Sequence, residues 1–242
     1  MRFSSILWKE WMVFKSKFIS TTLGAVVGPL LYLVAFGWGL GGAVTVEGIS
    51  YTAFVIPGIV ALNAMTTSYS VVANDINLSR IYAKTFEAVM IAPIQMSVFA
   101  LARVTASALR GLYSAALILL VSFLFQVKLK LDWYFVLVLT LNCYVFSAIG
   151  FIAGILIDSH ADMAKVSNFV ITPMSFLCGT FFPLEKFPAF LRIVFELLPL
   201  TQAVRGLRDG LSASGSLMVP LILCGYLAVL LPVAIKLCKR AE

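Results

Sequence analysis

The only histidine of this 242-residue chain, His160, stands in the string Asp158–Ser159–His160–Ala161–Asp162. Two carboxylates flanking an imidazole could hold a divalent metal or relay a proton. A tight polar turn between two apolar runs accounts for the same residues. Gly37, Gly39 and Gly42 complete a GxGxxG string. That string binds a dinucleotide only where a strand precedes it and a helix follows. Here it closes an apolar run, and glycines where a helix frays are sufficient explanation. No GxxxxGK[ST] string occurs, so the chain does not cradle ATP phosphates by that device. Cys143, Cys178, Cys224 and Cys238 form no CxxC pair and lie mostly in apolar runs, which supports neither a zinc site nor a disulfide frame. The expectation is a chain with no catalytic, metal or cofactor-binding residues of its own.

What must be positioned is therefore not a reaction centre, and composition says what it is instead. The chain is 61% apolar and 12% charged, against about 45–50% and about 25% in soluble domains. One soluble core could not bury this much apolar surface, so the excess faces lipid. The net charge of +7 raises nucleic acid as a partner. A nucleic-acid binder needs a continuous basic face, whereas Lys and Arg here collect at the edges of apolar runs, as they do at membrane boundaries. No nucleic-acid partner is expected. A cleavable signal peptide is not expected either, because Lys9, Glu10, Lys15 and Lys17 interrupt the would-be apolar region.

A helix needs about 20 apolar residues to cross a hydrocarbon core about 30 Å thick, and unpaired backbone groups in lipid force each such run to be helical. The gaps between charges give six runs: Ile19–Leu40, Tyr51–Ala73, Gly111–Val127, Trp133–Ile157, Val166–Phe182 and Leu217–Leu237. The uncharged stretch Ala88–Ala102, with Pro93 and Gln95, reads as the approach to the third span; as a seventh span it would move the C-terminus outside. Arg110 is expected at the inner edge of that third span, because a midplane arginine costs about 2.5–3.5 kcal/mol on insertion scales. With the N-terminus inside, the inner segments hold Arg2, Lys9, Lys15, Lys17, Arg80, Lys84, Arg103, Arg110, Lys165, Lys236, Lys239 and Arg240, twelve in all. The outer segments hold six, Lys128, Lys130, Lys186, Arg192, Arg205 and Arg208. The positive-inside rule then favours both termini inside. No carboxylate falls within the six runs, which argues against an ion-coupled carrier.

Three connecting segments carry patterns of their own. Residues 1–18 repeat Phe3, Leu7, Trp11, Phe14 and Phe18 at helical spacing, the pattern of a helix lying in a membrane interface; a plain extension of the first span fits too. Residues 74–92 read as an amphipathic helix with Leu78, Ile81, Thr85 and Val89 on one stripe and Lys84 able to pair with Glu87. Such a helix can dock in a groove of a soluble partner. Residues 183–216 are too polar to span and too apolar for an ordinary loop. Short helices punctuated by Pro183, Pro188 and Pro199 and dipping into the outer leaflet would bury Phe187, Phe190, Ile193 and Leu197. GxxxG pairs at Gly24–Gly28 and Gly150–Gly154 permit close helix approach, within the chain or against a partner.

Three segments taken together resemble the membrane subunit of type-2 ABC exporters, the group of polysaccharide, lipo-oligosaccharide and drug permeases. They are Phe54–Val55–Ile56–Pro57–Gly58, then Lys84–Thr85–Phe86–Glu87–Ala88–Val89–Met90–Ile91–Ala92–Pro93, then Gly179–Thr180–Phe181–Phe182–Pro183 with Phe187–Pro188 and Leu198–Pro199–Leu200–Thr201 and Arg205. The resemblance spans nearly the whole chain, as a single permease domain.

The resemblance implies an all-α membrane protein of about six spans, in a bacterial inner membrane, with an interfacial connecting helix at 1–18, a coupling helix at 74–92 and re-entrant outer helices at 183–216. It implies that Arg80, Tyr82, Lys84, Thr85, Phe86 and Glu87 meet a separate ATPase subunit, with Phe86 filling an apolar pocket and Glu87 meeting a polar group at its rim. Phe181, Phe182, Pro183, Phe187 and Pro188 would form the outer gate. Asn63, Thr66 and Thr67 would line a cargo path. Two ATPase copies, carrying the ATP and Mg²⁺, would join two permeases, as a homodimer or with a related chain, amid membrane lipids. Amphiphilic or lipid-linked cargo, whether glycan, lipid or drug-like, is the expected load. The very short loop Gly41–Ser50 leaves no large periplasmic domain. The competing readings are a lipid-modifying membrane enzyme built on Asp158, His160 and Asp162, and a secondary carrier, which would need intramembrane charges and internal repeats.

Overall fold

A computed structural model describes residues 3–38, 45–46, 49–91, 95–123, 131–211 and 215–240. Gly39, Gly42, Pro93, Lys128 and Lys130, with parts of the segments 41–50 and 183–216, lie outside the described residues. The described chain is mostly helical, with turns and loops between the helices and a two-residue antiparallel ladder of Thr45–Val46 with Ile49–Ser50. Helix α1 covers Phe3–Ser16 and α2 Phe18–Tyr32, prolonged by a π turn over Leu33–Trp38. Then come α3 (Tyr51–Ile81), α4 (Thr85–Ile91), α5 (Met96–Ser122) and α6 (Trp133–Leu156). The rest are α7 (His160–Val166), α8 (Thr172–Leu177), α9 (Ala189–Glu196), α10 (Pro199–Leu211) and α11 (Met218–Arg240).

Five helices are long and apolar enough to cross a membrane, those over Phe18–Ala35, Tyr51–Ile81, Met96–Ser122, Trp133–Leu156 and Met218–Arg240. The expected fifth run, Val166–Phe182, is helical only to Leu177 and is built in pieces, α7 and α8 joined by a π turn over Ser167–Ile171. Pro173 explains the break. It has no N–H to give the carbonyl four residues back, and the ladder slips so that the Thr172 N–H reaches the Ser167 carbonyl. The pieces from His160 to Leu177 together give about 27 Å of helix.

Two boundaries differ from the sequence reading. Helix α5 starts at Met96, so Arg110 stands in mid-helix rather than at its head, and Ala88–Ala102 is divided between α4 and α5 instead of forming a span. Helix α3 runs on past Ala73 to Ile81. Counting outward from charges cut both helices short, because a helix continues through charges that other helices pair, Arg103 and Arg110 largely buried against Glu10 and Asp75 half-exposed beside Arg103. Asp75, Arg80, Arg103 and Arg110 thus sit on helices long enough to span.

Helix α3 is the centre of the bundle, buried from Phe54 to Met65 and packed against α5, α6 and α10, while α11 lies on α5 and α6. The approach of α3 and α6 rests on Gly150 and Gly154. A Cβ on Gly150 would stand 2.5 Å from the Tyr69 carbonyl, and one on Gly154 3.0 Å from the Ala73 carbonyl. This GxxxG pair therefore packs within the chain, whereas nothing lies within 4 Å of a Cβ on Gly24 or Gly28. Across α3 and α5, the Asn63 amide donates to Ser114, the Thr67 hydroxyl lies 3.0 Å from the Ser114 hydroxyl, and the Asn142 amide of α6 donates to the Ala61 carbonyl at 3.2 Å. Such bonds hold helices where apolar burial gives no preference between helix and lipid. The bundle has two ends. The basal end holds the α3–α4 turn, the start of α5, the end of α6 and the last turn of α11. The apical end holds Tyr51, residues 178–187, α9 and α10.

Candidate functional site

At the basal end, α3 stops where the N–H groups of Tyr82 and Ala83 both reach the Leu78 carbonyl, at 3.1 and 3.0 Å. Lys84 then adopts a left-handed conformation, φ 48°, which costs a residue with a Cβ about 1–2 kcal/mol and cannot continue a right-handed helix. The expected single helix over 74–92 is accordingly two. No ion pair among the described residues joins Lys84 to Glu87, since Lys84 precedes the first turn of α4. Tyr82, Lys84, Thr85, Glu87 and Ile91 face outward, Tyr82 at 65% and Ile91 at 87% exposure. Phe86 does the opposite. It is 5% exposed, edge-on to Phe99 with centroids 6.0 Å apart, in a cluster with Ile6, Ile76 and Phe151. It fixes α4 to the bundle and is not free to fill a partner's pocket. Arg80 caps the end of α6, donating to the Gly154 carbonyl at 3.2 Å and to that of Ile155, and pairs with Asp158 at 3.1 Å. The Asn77 amide adds a bond to the Ile157 carbonyl at 2.7 Å.

Next to this turn lies a cluster of four charges on three helices. Arg103 of α5 pairs with both Glu10 of α1 and Asp75 of α3. Arg110, two turns along α5, donates to the Glu10 carboxylate at 3.0 Å and to the Glu10 carbonyl at 3.1 Å. The Arg103 and Glu10 side chains are 9% and 12% exposed. Two arginines and two carboxylates cancel, which is how charges persist on a spanning helix. Helix α1 lies along α5, with Ile6 in the cluster of Phe99 and Phe14 edge-on to Tyr113 at 5.1 Å. Trp8, Trp11 and Met12 stay exposed on its other side. The network links α1, α3 and α5 just above the α3–α4 turn.

The apical end is tied by Arg208 of α10. Its guanidinium donates to the carbonyls of Phe54 (3.2 Å), Gly179 (2.8 Å) and Thr180 (3.2 Å) and stacks 3.6 Å over the Phe54 ring. Gly179 turns the chain with φ 75°, and a Cβ on Gly58 would meet the Thr180 carbonyl at 2.7 Å. The segments Phe54–Gly58 and Gly179–Pro183, distant in sequence, interlock here for that reason. Phe181 is buried, packs on Tyr32 and accepts the Tyr51 hydroxyl bond through its carbonyl at 3.0 Å. Phe182 is exposed and Pro183 half-buried. Phe187 packs edge-on to Phe195 at 5.4 Å, and Pro188 precedes the first turn of α9. Helix α9 turns Phe190, Ile193 and Val194 outward, with Leu197 exposed just past its end, while α10 inserts Leu200, Ala203, Val204 and Leu207 into the bundle. A polar cavity of about 230 Å³ lies between these helices and the 178–185 loop, walled by Arg192, Glu196, Arg205, Arg208 and Asp209.

Of the residues expected along a cargo path, Asn63 is buried and committed to Ser114, and Thr66 and Thr67 are half-buried, with Thr66 donating to the Asn63 carbonyl at 3.1 Å. His160 is exposed at the head of α7, and its neighbours Asp158 and Asp162 pair with Arg80 and Lys165. Glu10, Asp75, Arg103 and Arg208 were not singled out from sequence. The seven-residue spacing of Arg103 and Arg110 was a signal, since it places both on one face of a helix, and Glu10 is the one acid of the amphipathic first segment.

The family model described as ABC-2 type transporter matches residues 1–212. The inner membrane transport permease YadH of Escherichia coli (strain K12) is 29% identical over 208 residues, covering 85% of this chain and 81% of that protein. Nodulation protein J of Rhizobium leguminosarum bv. viciae is 26% identical over 245 residues, covering 96% and 92%, and that of Rhizobium meliloti (strain 1021) is 28% identical over 237 residues, covering 91% and 86%. With a bundle of membrane-crossing helices and a family match over most of its length, the chain belongs to the ABC-2 type transporter family as a multi-pass membrane permease.

Proposed function

We propose that the chain is the membrane subunit of an ATP-driven exporter of the bacterial inner membrane, working as a pair of permeases with two separate ATPase subunits that carry the ATP and Mg²⁺. The observation that carries this reading is the basal turn. An exposed loop and short helix, with Tyr82 and Ile91 outermost, is packed through Phe86 against Ile6 of α1, Ile76 of α3 and Phe99 of α5, beside the charge cluster that joins the same three helices. A push on that turn reaches α1, α3 and α5 together, as a device switching between two packings requires. Family membership and the name of the Escherichia coli relative support transport as the activity.

Cargo with both polar and apolar parts fits the apical end, where a charged cavity adjoins the outward apolar face of α9. The enzyme reading is weaker, because both acids beside His160 are taken up by ion pairs. The carrier reading gains charges on spanning helices but finds them neutralising one another. The termini are both assigned to the cytoplasm from the distribution of Lys and Arg.

Purification of the tagged chain from its own membrane under mild detergent should bring down a P-loop ATPase whose hydrolysis vanadate inhibits. Recovery of the permease alone, with cargo movement that follows an ion gradient and ignores ATP, would refute the proposal. A reporter that fluoresces only in the cytoplasm should light when fused after Glu242; a dark fusion alongside an active periplasmic reporter refutes the orientation and leaves the ATPase assignment standing.

A further inference from the structure

The junction of α1 and α2 is an elbow at Lys17, and the elbow walls a chamber of about 1040 Å³. Its lining mixes two chemistries, the cationic Lys15 and Lys17 at the elbow and the apolar Trp11, Phe18, Ile19 and Leu23 on the two helices that flank it. Both lysines are exposed, and none of the ion pairs among the described residues uses either. Glu10, the nearest acid along the chain, is committed to Arg103 and Arg110. From Ile19 an apolar column runs along α2, since Ile19, Leu23, Val27 and Leu31 recur every fourth residue and all are exposed.

We propose that this elbow is a binding site for an anionic glycerophospholipid, its phosphate on Lys15 and Lys17 and its acyl chains along the column from Ile19 to Leu31. The occupant must be amphiphilic, because the elbow presents two lysines and the column that leaves it along α2 is purely aliphatic. It must be anionic, because the elbow's two lysines have no carboxylate among the lining residues. A second copy of the chain answers neither need. A two-fold contact sets the same patch of both copies together, and this patch holds no uncommitted carboxylate to meet the lysines, since Glu10 is paired with Arg103 and Arg110. A zwitterionic lipid satisfies the column but sets its own ammonium against Lys15 and Lys17. A lysine near an anionic lipid surface is worth about fivefold in binding. The site should therefore prefer an anionic to a zwitterionic lipid by at least about fivefold.

The test uses the full chain with Trp8, Trp38 and Trp133 replaced by phenylalanine, leaving Trp11 as the only emitter. The protein is placed in vesicles of phosphatidylglycerol and phosphatidylcholine in equal amounts, with bromine on the acyl chains of one lipid or the other. Brominated phosphatidylglycerol should quench Trp11 with at least about fivefold higher apparent affinity than brominated phosphatidylcholine. That preference should vanish in Lys15→Gln/Lys17→Gln and persist in Lys15→Arg/Lys17→Arg and in Lys236→Gln/Lys239→Gln, each checked for wild-type elution and unfolding. Equal quenching by the two lipids overturns the site, as does equal loss of preference in the Lys236→Gln/Lys239→Gln control, which would signal a general surface field. Trp11 shielded from both lipids, with Leu23→Cys copies cross-linking to each other, also overturns it and assigns the elbow to a second chain.

Discussion

Replacing Glu10 with alanine should destabilise the permease by about 3–5 kcal/mol, the cost of removing one partner from a buried ion pair and leaving its cation uncompensated. Arg110 makes its ion pair and both its hydrogen bonds to Glu10, through the carboxylate and the backbone carbonyl. Arg103 keeps Asp75 but loses its other carboxylate. Glu10→Gln keeps the shape and one acceptor but not the charge, and should fall between wild type and alanine. The double variant Glu10→Ala/Arg110→Leu should recover much of the loss, because it removes the stranded charge together with its partner. The coupling energy from this cycle, read from chemical unfolding in detergent, should exceed 1 kcal/mol, the upper end for exposed pairs. An alanine variant that unfolds at the wild-type midpoint would show that the cluster is hydrated and does not clamp α1 to the bundle.

The same cluster shows why part of the protein was legible in its sequence and part was not. The all-helical membrane class and five of the six expected spans were legible because lipid enforces long apolar runs and intrahelical hydrogen bonds; α6 matches its expected limits to within a residue. Span ends were not, wherever a charge is paired by another helix. Asp75 and Arg110 look like membrane edges when each is read alone, and only the fold reveals that Glu10 and Arg103 balance them. Short motifs were legible as motifs and opaque as geometry. Phe54–Gly58 and Gly179–Pro183 stood out separately, but their meeting under Arg208 depends on a contact between α3 and α10 that no local pattern encodes. Phe86 shows the limit of amphipathic reading. The stripe Leu78, Ile81, Thr85 and Val89 presumes an unbroken helix, and the left-handed Lys84 resets the faces so that α4 turns Phe86 inward.

That reset decides where an ATPase would grip, and it leads to the largest functional effect expected. If the basal turn seats in a partner's cleft, its anchors are the apolar side chains that protrude, Tyr82 and Ile91, with Glu87 and Lys84 as polar flanks. A buried anchor truncated at an interface costs about 2 kcal/mol or more, which is about 30-fold in affinity. Tyr82→Ser with Ile91→Ser should therefore weaken ATPase binding at least about 30-fold and abolish ATP-driven transport, while the purified permease unfolds as the wild type does, because neither side chain is packed in the bundle. Phe86→Ala should behave differently. Removing a core phenylalanine costs about 3–5 kcal/mol of stability, so this variant should lose transport through poor folding of α4, and Phe86→Leu should restore much of both. Comparing the permease's unfolding midpoint with the amount of ATPase retained on affinity resin separates the two classes. An ATPase that binds the Tyr82→Ser/Ile91→Ser permease as tightly as wild type would mean that the turn only rests against the membrane, and coupling would have to run through another surface of the basal end.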